Sequence, residues 1–109
     1  MIIAIATENG MVAQHFGRCP QYTLVTLEDG KETGRQVVDN PGHEPGFLPK
    51  FLHEHGANAV LAGGMGPMAL NLFNERGIQP YVGISGSIED AIQGFLKGTL
   101  KDGESTCHH

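Results

Sequence analysis

The chain has 109 residues, 39% of them hydrophobic and 17% charged, with a formal net charge of −5. That length suits one domain, and the acidic balance argues against a nucleic-acid partner, which would ask for a basic face. No apolar run approaches the ~20 residues of a membrane span, and no basic leader precedes an apolar stretch, so the expected location is the cytoplasm. The only two cysteines, Cys19 and Cys107, are too few for a disulfide framework.

In chain order, Met1-Ile2-Ile3-Ala4-Ile5-Ala6 reads as a strand buried on both faces, because it does not alternate with polar residues. Thr7-Glu8-Asn9-Gly10 is a turn signal, and a loop follows from Met11 to Pro20. Gln21 to Leu27 alternates polar and apolar residues, as a strand with one wet face does. Asp29-Gly30 predicts a hairpin, with Arg35 to Asp39 as its return strand. Asn40-Pro41-Gly42-His43-Glu44-Pro45-Gly46 reads as a second, flexible loop.

Helical spacing begins near Leu48 and stops at Gly56. His53 and His55, two apart, fall on different sides of that helix and read as solvated surface. Ala59-Val60-Leu61-Ala62 is another doubly buried strand, followed by the turn Gly63-Gly64-Met65-Gly66-Pro67. A helix from Pro67 to Arg76 is expected to bury Met68, Leu72 and Phe73. Gln79 to Ile84 predicts the last strand, and Ser87 with Asp90 fits a capping box opening an amphipathic helix that ends at Gly98. Residues 101–109 form a polar tail closing on Cys107-His108-His109, appended to one domain over residues 1–100.

The expected order is therefore β-β-β-α-β-α-β-α: a mixed five-stranded sheet, with helices on both faces and right-handed crossovers. In open sheets of this kind ligands sit beyond the carboxyl ends of the strands. Three loops fall there: Thr7–Pro20, Gly63–Pro67 and Gly83–Ser87. Far apart in sequence, they are expected to meet in space.

Several segments together carry a resemblance. They are the first strand with its His-Phe-Gly-Arg-Cys-Pro loop, the Asn-Pro-Gly turn, Ala-Gly-Gly-Met-Gly-Pro-Met-Ala, Tyr-Val-Gly-Ile-Ser-Gly and the Cys-His-His ending. In matching order over nearly the whole chain, they resemble the dinitrogenase iron–molybdenum cofactor biosynthesis family, and within it the small orange proteins of sulfate-reducing bacteria. The resemblance implies a ribonuclease H-like three-layer α/β sandwich. It also implies a non-catalytic carrier or assembly protein for a metal–sulfur cluster: a molybdenum–copper sulfide cluster in the orange-protein branch, or an iron–molybdenum cofactor precursor. Cluster-assembly or ATPase proteins would then be its partners.

The ligand residues have to be argued locally. A thiomolybdate-type cluster is a bulky soft anion that suits N–H dipoles, a cation and polarizable contacts. Gly63, Gly64, Met65, Gly66 and Pro67 supply a glycine turn at a helix start, with Ser85 and Gly86 from the third loop. Arg18 supplies a fixed charge, and Met11, Met65 and Met68 offer soft surfaces, although Met68 reads first as core. His15, Cys19, Cys107 and His108 suit a copper-type metal. Against these stand plainer readings: Cys19 as a small buried hydrophobe, Arg18 as surface charge, and Cys107-His108-His109 as a frayed end.

Three rival functions come from other classes. Gly64-Met65-Gly66-Pro67-Met68-Ala69 matches the dinucleotide fingerprint formally, yet it follows a later strand and no acidic group stands about twenty residues on. A nuclease needs clustered carboxylates, and Ile2-Ile3-Ala4-Ile5-Ala6 carries none. A cofactor-free interaction module is the third.

Overall fold

A computed structural model describes residues 1–42 and 47–98. The strands are β1 (Ile2–Glu8), β2 (Met11–Val12), β3 (Gln21–Glu28), β4 (Lys31–Asp39), β5 (Ala59–Leu61) and β6 (Gln79–Tyr81). The helices are α1 (Phe47–Glu54), α2 (Pro67–Glu75) and α3 (Ile88–Leu96). The sheet runs β4-β3-β1-β5-β6, with β2 paired to β1. β1, β5 and β6 are parallel, while β3 is antiparallel to both β1 and β4.

β1 sits in the middle, and its composition shows why it does not alternate. Ala4 and Ala6 face a core that α1 and α2 close with Leu48, Leu52 and Phe73. Ile3 and Ile5 face a second core closed from the other side by Ile88, Ala91 and Ile92 of α3. Helices therefore cover both faces of a mixed sheet, as the sequence predicts. None of the helices among the described residues is long and apolar enough to cross a membrane.

Five expectations need correction. β3 has no wet face: Tyr22, Thr23, Leu24 and Val25 are all buried, because helices cover both sides of the sheet there and the Thr23 hydroxyl is hydrogen-bonded to Thr7. The sheet has six strands, because Asn9 (φ 53°) and Gly10 (φ 77°) make a tight turn that folds Met11–Val12 back onto Thr7 and Glu8. The return strand begins at Lys31 rather than Arg35. Its first half carries no apolar signal, since β4 is an edge strand with no buried residue, and edges are guarded by charge. Arg35 there is held by Glu32 and Glu89, both at 2.6 Å, and this pulls the Glu32 carboxyl below its usual range. The last strand stops at Tyr81, because Gly83 turns the chain with φ 76°. Lastly, Met68 is 63% exposed rather than core; Phe73 is the residue that α2 buries fully, and Leu72 is only half-buried.

The loops at the carboxyl ends of β1, β5 and β6 are sewn together by backbone hydrogen bonds. The Gly63 N–H donates to Ala13 O and the Phe16 N–H to Gly64 O, both at 2.9 Å. The Gly83 N–H donates to Gly63 O, and the Val12 N–H to Gly86 O, again at 2.9 Å. Ile88 N–H reaches Gly10 O at 3.2 Å. The joint is so close that a Cβ on Gly63 would lie 2.8 Å from Gln14 Cα and 2.9 Å from Gln14 O.

Two stability predictions follow from this packing. Gly63→Ala should destabilise by about 1–3 kcal/mol, since only backbone lies in the way and it has no flexible end to yield. Within the second core, buried Thr7 Oγ1 donates to Ile5 O at 2.7 Å, so Thr23 Oγ1 donates to Thr7 Oγ1, also at 2.7 Å. Thr7→Val strands the Thr23 hydroxyl and should cost about 1–3 kcal/mol in urea unfolding. Adding Thr23→Val should recover much of that loss; a double variant less stable than Thr7→Val alone would refute the pairing.

Candidate cluster-binding site

Four loops, not three, meet at one end of the sheet. Because β3 pairs with β1 at Thr7↔Gln21 and with β4 at Gln21↔Asp39, the residues after β4 arrive beside the loop that leads into β3. The end of β1 and the loop leading into β3 together wall a cleft of about 330 Å³, lined by Glu8, Asn9, Met11, Val12, Ala13, Gln14, His15, Arg18 and Cys19. Met11, His15, Arg18 and Cys19, singled out from sequence, thus share one wall.

The His15–Pro20 loop is pinned from beneath and from the side. The Phe16 ring packs 5.5 Å from Tyr22 and edge-on to Phe73 at 5.1 Å. Cys19 is 2% exposed and belongs to the same core cluster. The Asn40 side-chain amide donates to Gly17 O at 3.1 Å and to Cys19 O at 2.7 Å, while its Oδ1 accepts from Gly42 N–H at 2.9 Å. The Asn40 N–H donates to Pro20 O at 2.9 Å. With Phe16 and Cys19 drawn inward, His15 and Arg18 stay exposed on the outer side.

Asn40 is the positioning residue that sequence reasoning missed, having read the segment from Asn40 as flexible. The available signal was an asparagine before Pro-Gly at the end of a strand. Such a side chain tends to bind backbone nearby, and here the nearby backbone is the candidate loop.

The two helices that begin near the site are treated differently. α3 is capped by Ser87, whose hydroxyl accepts from Asp90 N–H at 3.0 Å, and it has Glu89 and Asp90 in its first turn. α2 begins at Gly66 (φ −71°, ψ 162°) with no side-chain cap, Pro67 next, and no acidic residue in its first turn. Its positive end is uncompensated. A Cβ on Gly66 would meet nothing within 4 Å, so the space over that helix start is open. His15 forms a bridge with Gly64, which brings this turn against the loop, and Met11 forms another with Ser87.

Of the remaining predicted residues, Met65 is half-buried against the first core, and Pro67 and Ser85 are exposed. Gly86 (φ 97°) serves the joint through its carbonyl. Met11 (47% exposed) and Met68 (63%) present thioethers to solvent. His43, Cys107 and His108 lie outside the described residues. Under the loop, the Tyr22 hydroxyl is buried without a hydrogen bond of good geometry, beside the Cys19 thiol and the Gly17 backbone. Burial, and then the neighbouring thiol, push its titration far above the ordinary tyrosine range.

Among the described residues no three His, Cys, Asp or Glu side chains gather as a metal-ion site. Arg18, His15 and the free start of α2, with the Glu8 carboxylate on the same cleft lining, do not make a cage of three or more ligands. Arg18 and the helix start suit a ligand that is anionic and already coordinated by its own atoms.

Comparison with known proteins places the chain in a family. The family model for the dinitrogenase iron–molybdenum cofactor matches residues 1–98. An uncharacterized protein of Methanocaldococcus jannaschii is 31% identical over 106 residues, covering 93% of this chain and 90% of that one. The crystal structure of PH0822 superposes with a TM-score of 0.85 at 37% identity, over 94% of this chain and 96% of the other. The apo form of the orange protein from Desulfovibrio gigas superposes with a TM-score of 0.81 at 27% identity, over 93% and 91%. The chain belongs to the dinitrogenase iron–molybdenum cofactor family.

Proposed function

We propose that this protein is a non-catalytic carrier or assembly protein for a metal–sulfur cluster, either a molybdenum–copper sulfide or an iron–molybdenum cofactor precursor. The observation that carries the reading is the uncompensated start of α2, joined through the His15–Gly64 bridge to a cleft bearing Arg18 and His15. Family membership and the fold shared with the orange protein support the same class of cargo.

In this reading the cluster arrives with its sulfides, and the chain supplies charge balance and orientation. The N–H groups of Gly64, Met65 and Gly66 and the Arg18 guanidinium face the anion, with Pro67, which has no N–H, opening the helix beneath them. Met11, Met65 and Met68 give polarizable contact. His15 and Cys19 reach a copper-type metal from the cleft wall, and Cys107 and His108 add a second pair from the tail of residues 101–109. Gly63 and Gly86 act through the joint, with Ser85 beside it. Residues 1–100 form the carrier domain, and its partners are cluster-assembly or ATPase proteins. A dinucleotide is disfavoured, because Gln14 O would lie 3.4 Å from a Cβ on Gly64, where a pyrophosphate turn needs open space.

The test is loading of apo protein with tetrathiomolybdate and copper, followed by its visible spectrum. Arg18→Glu should weaken binding by about 1–3 kcal/mol, the scale of a charge-assisted contact. Gly66→Asp should act in two directions at once. An aspartate cap raises stability by up to about 1 kcal/mol, and it also occupies the N–H groups with a negative charge. Higher thermal stability with poorer loading is the expected outcome; both variants loading like wild type would remove the turn and Arg18 from the site.

The tail is tested separately. Deleting Thr106 to His109 should lower the copper-to-molybdenum ratio of the loaded protein, read by metal analysis. An unchanged ratio and an unchanged cluster lifetime would take Cys107 and His108 out of the ligand set.

A further inference from the structure

Tyr22 poses a question that packing alone does not answer. Its ring lies in the first core, fully buried, against Phe16. A phenylalanine would fill that space, yet the chain places a hydroxyl there with no hydrogen-bond partner of good geometry. Buried polar groups are rarely left so, and each exception asks for a reason. The neighbours of this one are the Cys19 thiol and the Gly17 backbone, both in the loop that walls the cleft.

Resting on the carrier reading above, we propose that Cys19 and Tyr22 form a soft-metal thiolate site, with Cys19 Sγ as the ligand and the Tyr22 hydroxyl as the donor that stabilises and orients it. A thiol sulfur is a weak acceptor, so the hydroxyl makes no good bond while Cys19 keeps its proton. A metal-bound thiolate is negatively charged and accepts strongly. Binding forms a metal–sulfur bond and breaks the S–H bond, and the proton leaves to solvent. The hydroxyl then acquires the partner it lacks. Two features hold the sulfur for this: the Asn40 amide fixes the Cys19 carbonyl at 2.7 Å, and Phe16 packs against the Tyr22 ring. His15, four residues before Cys19 on the same wall, is the second donor that a two-coordinate Cu(I) needs. Tyr22 is thus a positioning residue, acting on the metal through sulfur.

The experiment uses the full chain carrying Cys107→Ser, which leaves Cys19 as the sole thiol, and Cu(I) alone as probe, in competition with a chromogenic chelator. Cu(I) uptake should release about one proton, and Cys19→Ser should abolish both uptake and release. Tyr22→Phe should lower Cu(I) affinity about tenfold or more, the scale of a hydrogen bond to a charged group. It should also shift the thiolate-to-copper ultraviolet band to longer wavelength, while the metal-free protein melts no lower than its parent. That last readout separates a donor to metal-bound sulfur from an ordinary packing residue.

Unchanged affinity and band position in Tyr22→Phe, with Cys19→Ser inactive, would overturn the role of Tyr22 and leave Cys19 as a ligand. A lowered melting point of the metal-free Tyr22→Phe protein with unchanged affinity would make the hydroxyl merely structural and overturn the proposal in the same way. Unimpaired Cu(I) binding in Cys19→Ser would overturn the thiolate site itself. None of these outcomes touches tetrathiomolybdate loading through Arg18 and Gly66, which stands or falls on its own measurement.

Discussion

The structure depends on the contact between the Ala13–Phe16 backbone and the Gly63-Gly64 turn. β1 and β5 are neighbours, but the chain leaves β1 toward β3 and leaves β5 toward β6. Left open, that divergence makes the crevice where α/β sheets hold ligands. Here the loop after β1 swings back across it and bonds to the turn after β5, at 2.9 Å on both sides of Gln14. Only a residue without a side chain permits the approach. The crevice is thereby roofed with backbone, and the open space moves outward to the cleft of Met11, His15, Arg18 and Cys19.

The unequal treatment of two helix starts gives that relocated site its sign. α3 satisfies its first-turn N–H groups with Ser87 and carries its own carboxylates, and one of these also ties Arg35 of the edge strand. α2 has an equally favourable place for a cap and leaves it to glycine. A serine or aspartate at Gly66 would make the helix more stable, since open space surrounds the position. Stability forgone at one helix terminus, next to a turn that bridges to the loop carrying Arg18, is the pattern expected where a site must accept negative charge from outside. In a chain with net charge −5, Arg18 and that helix start are the positive features offered to an anion, beside the Glu8 carboxylate of the same cleft.

Much of this was legible in the sequence, for physical reasons that differ from residue to residue. Ile3-Ala4-Ile5-Ala6 announces two buried faces because no polar residue interrupts it, and the two cores bear that out. Ser87 and Asp90 state their cap outright. Lys31 to Gly34 could not be read as strand, because an edge strand with both faces wet has no hydrophobic period to show. Met68 misled for a related reason. Helical spacing alone cannot tell which side of a short helix meets the core, and Phe73 takes that place. The convergence of the loops followed from strand polarity, whereas the clamp by Asn40 is a side-chain-to-backbone contact across more than twenty residues. The asparagine before Pro-Gly signals a bond to backbone, but no local pattern tells which distant backbone it meets.

What the clamp achieves explains why the loop is built as it is. A six-residue segment, His15 to Pro20, with a glycine at φ 95° would be costly to order at the moment of binding. Instead, Phe16 and Cys19 enter the core on one side, while Asn40 holds the carbonyls of Gly17 and Cys19 on the other. Arg18, between those two carbonyls, therefore has its backbone fixed on both sides before any ligand arrives. Only the side-chain rotamers of Arg18 and His15 remain to be ordered, so little of the attraction to a cluster is lost to conformational entropy. The same anchoring brings Cys19 beside the one buried hydroxyl without a good hydrogen bond among the described residues. Rigidity of the loop and readiness of the sulfur are thus two consequences of one set of contacts.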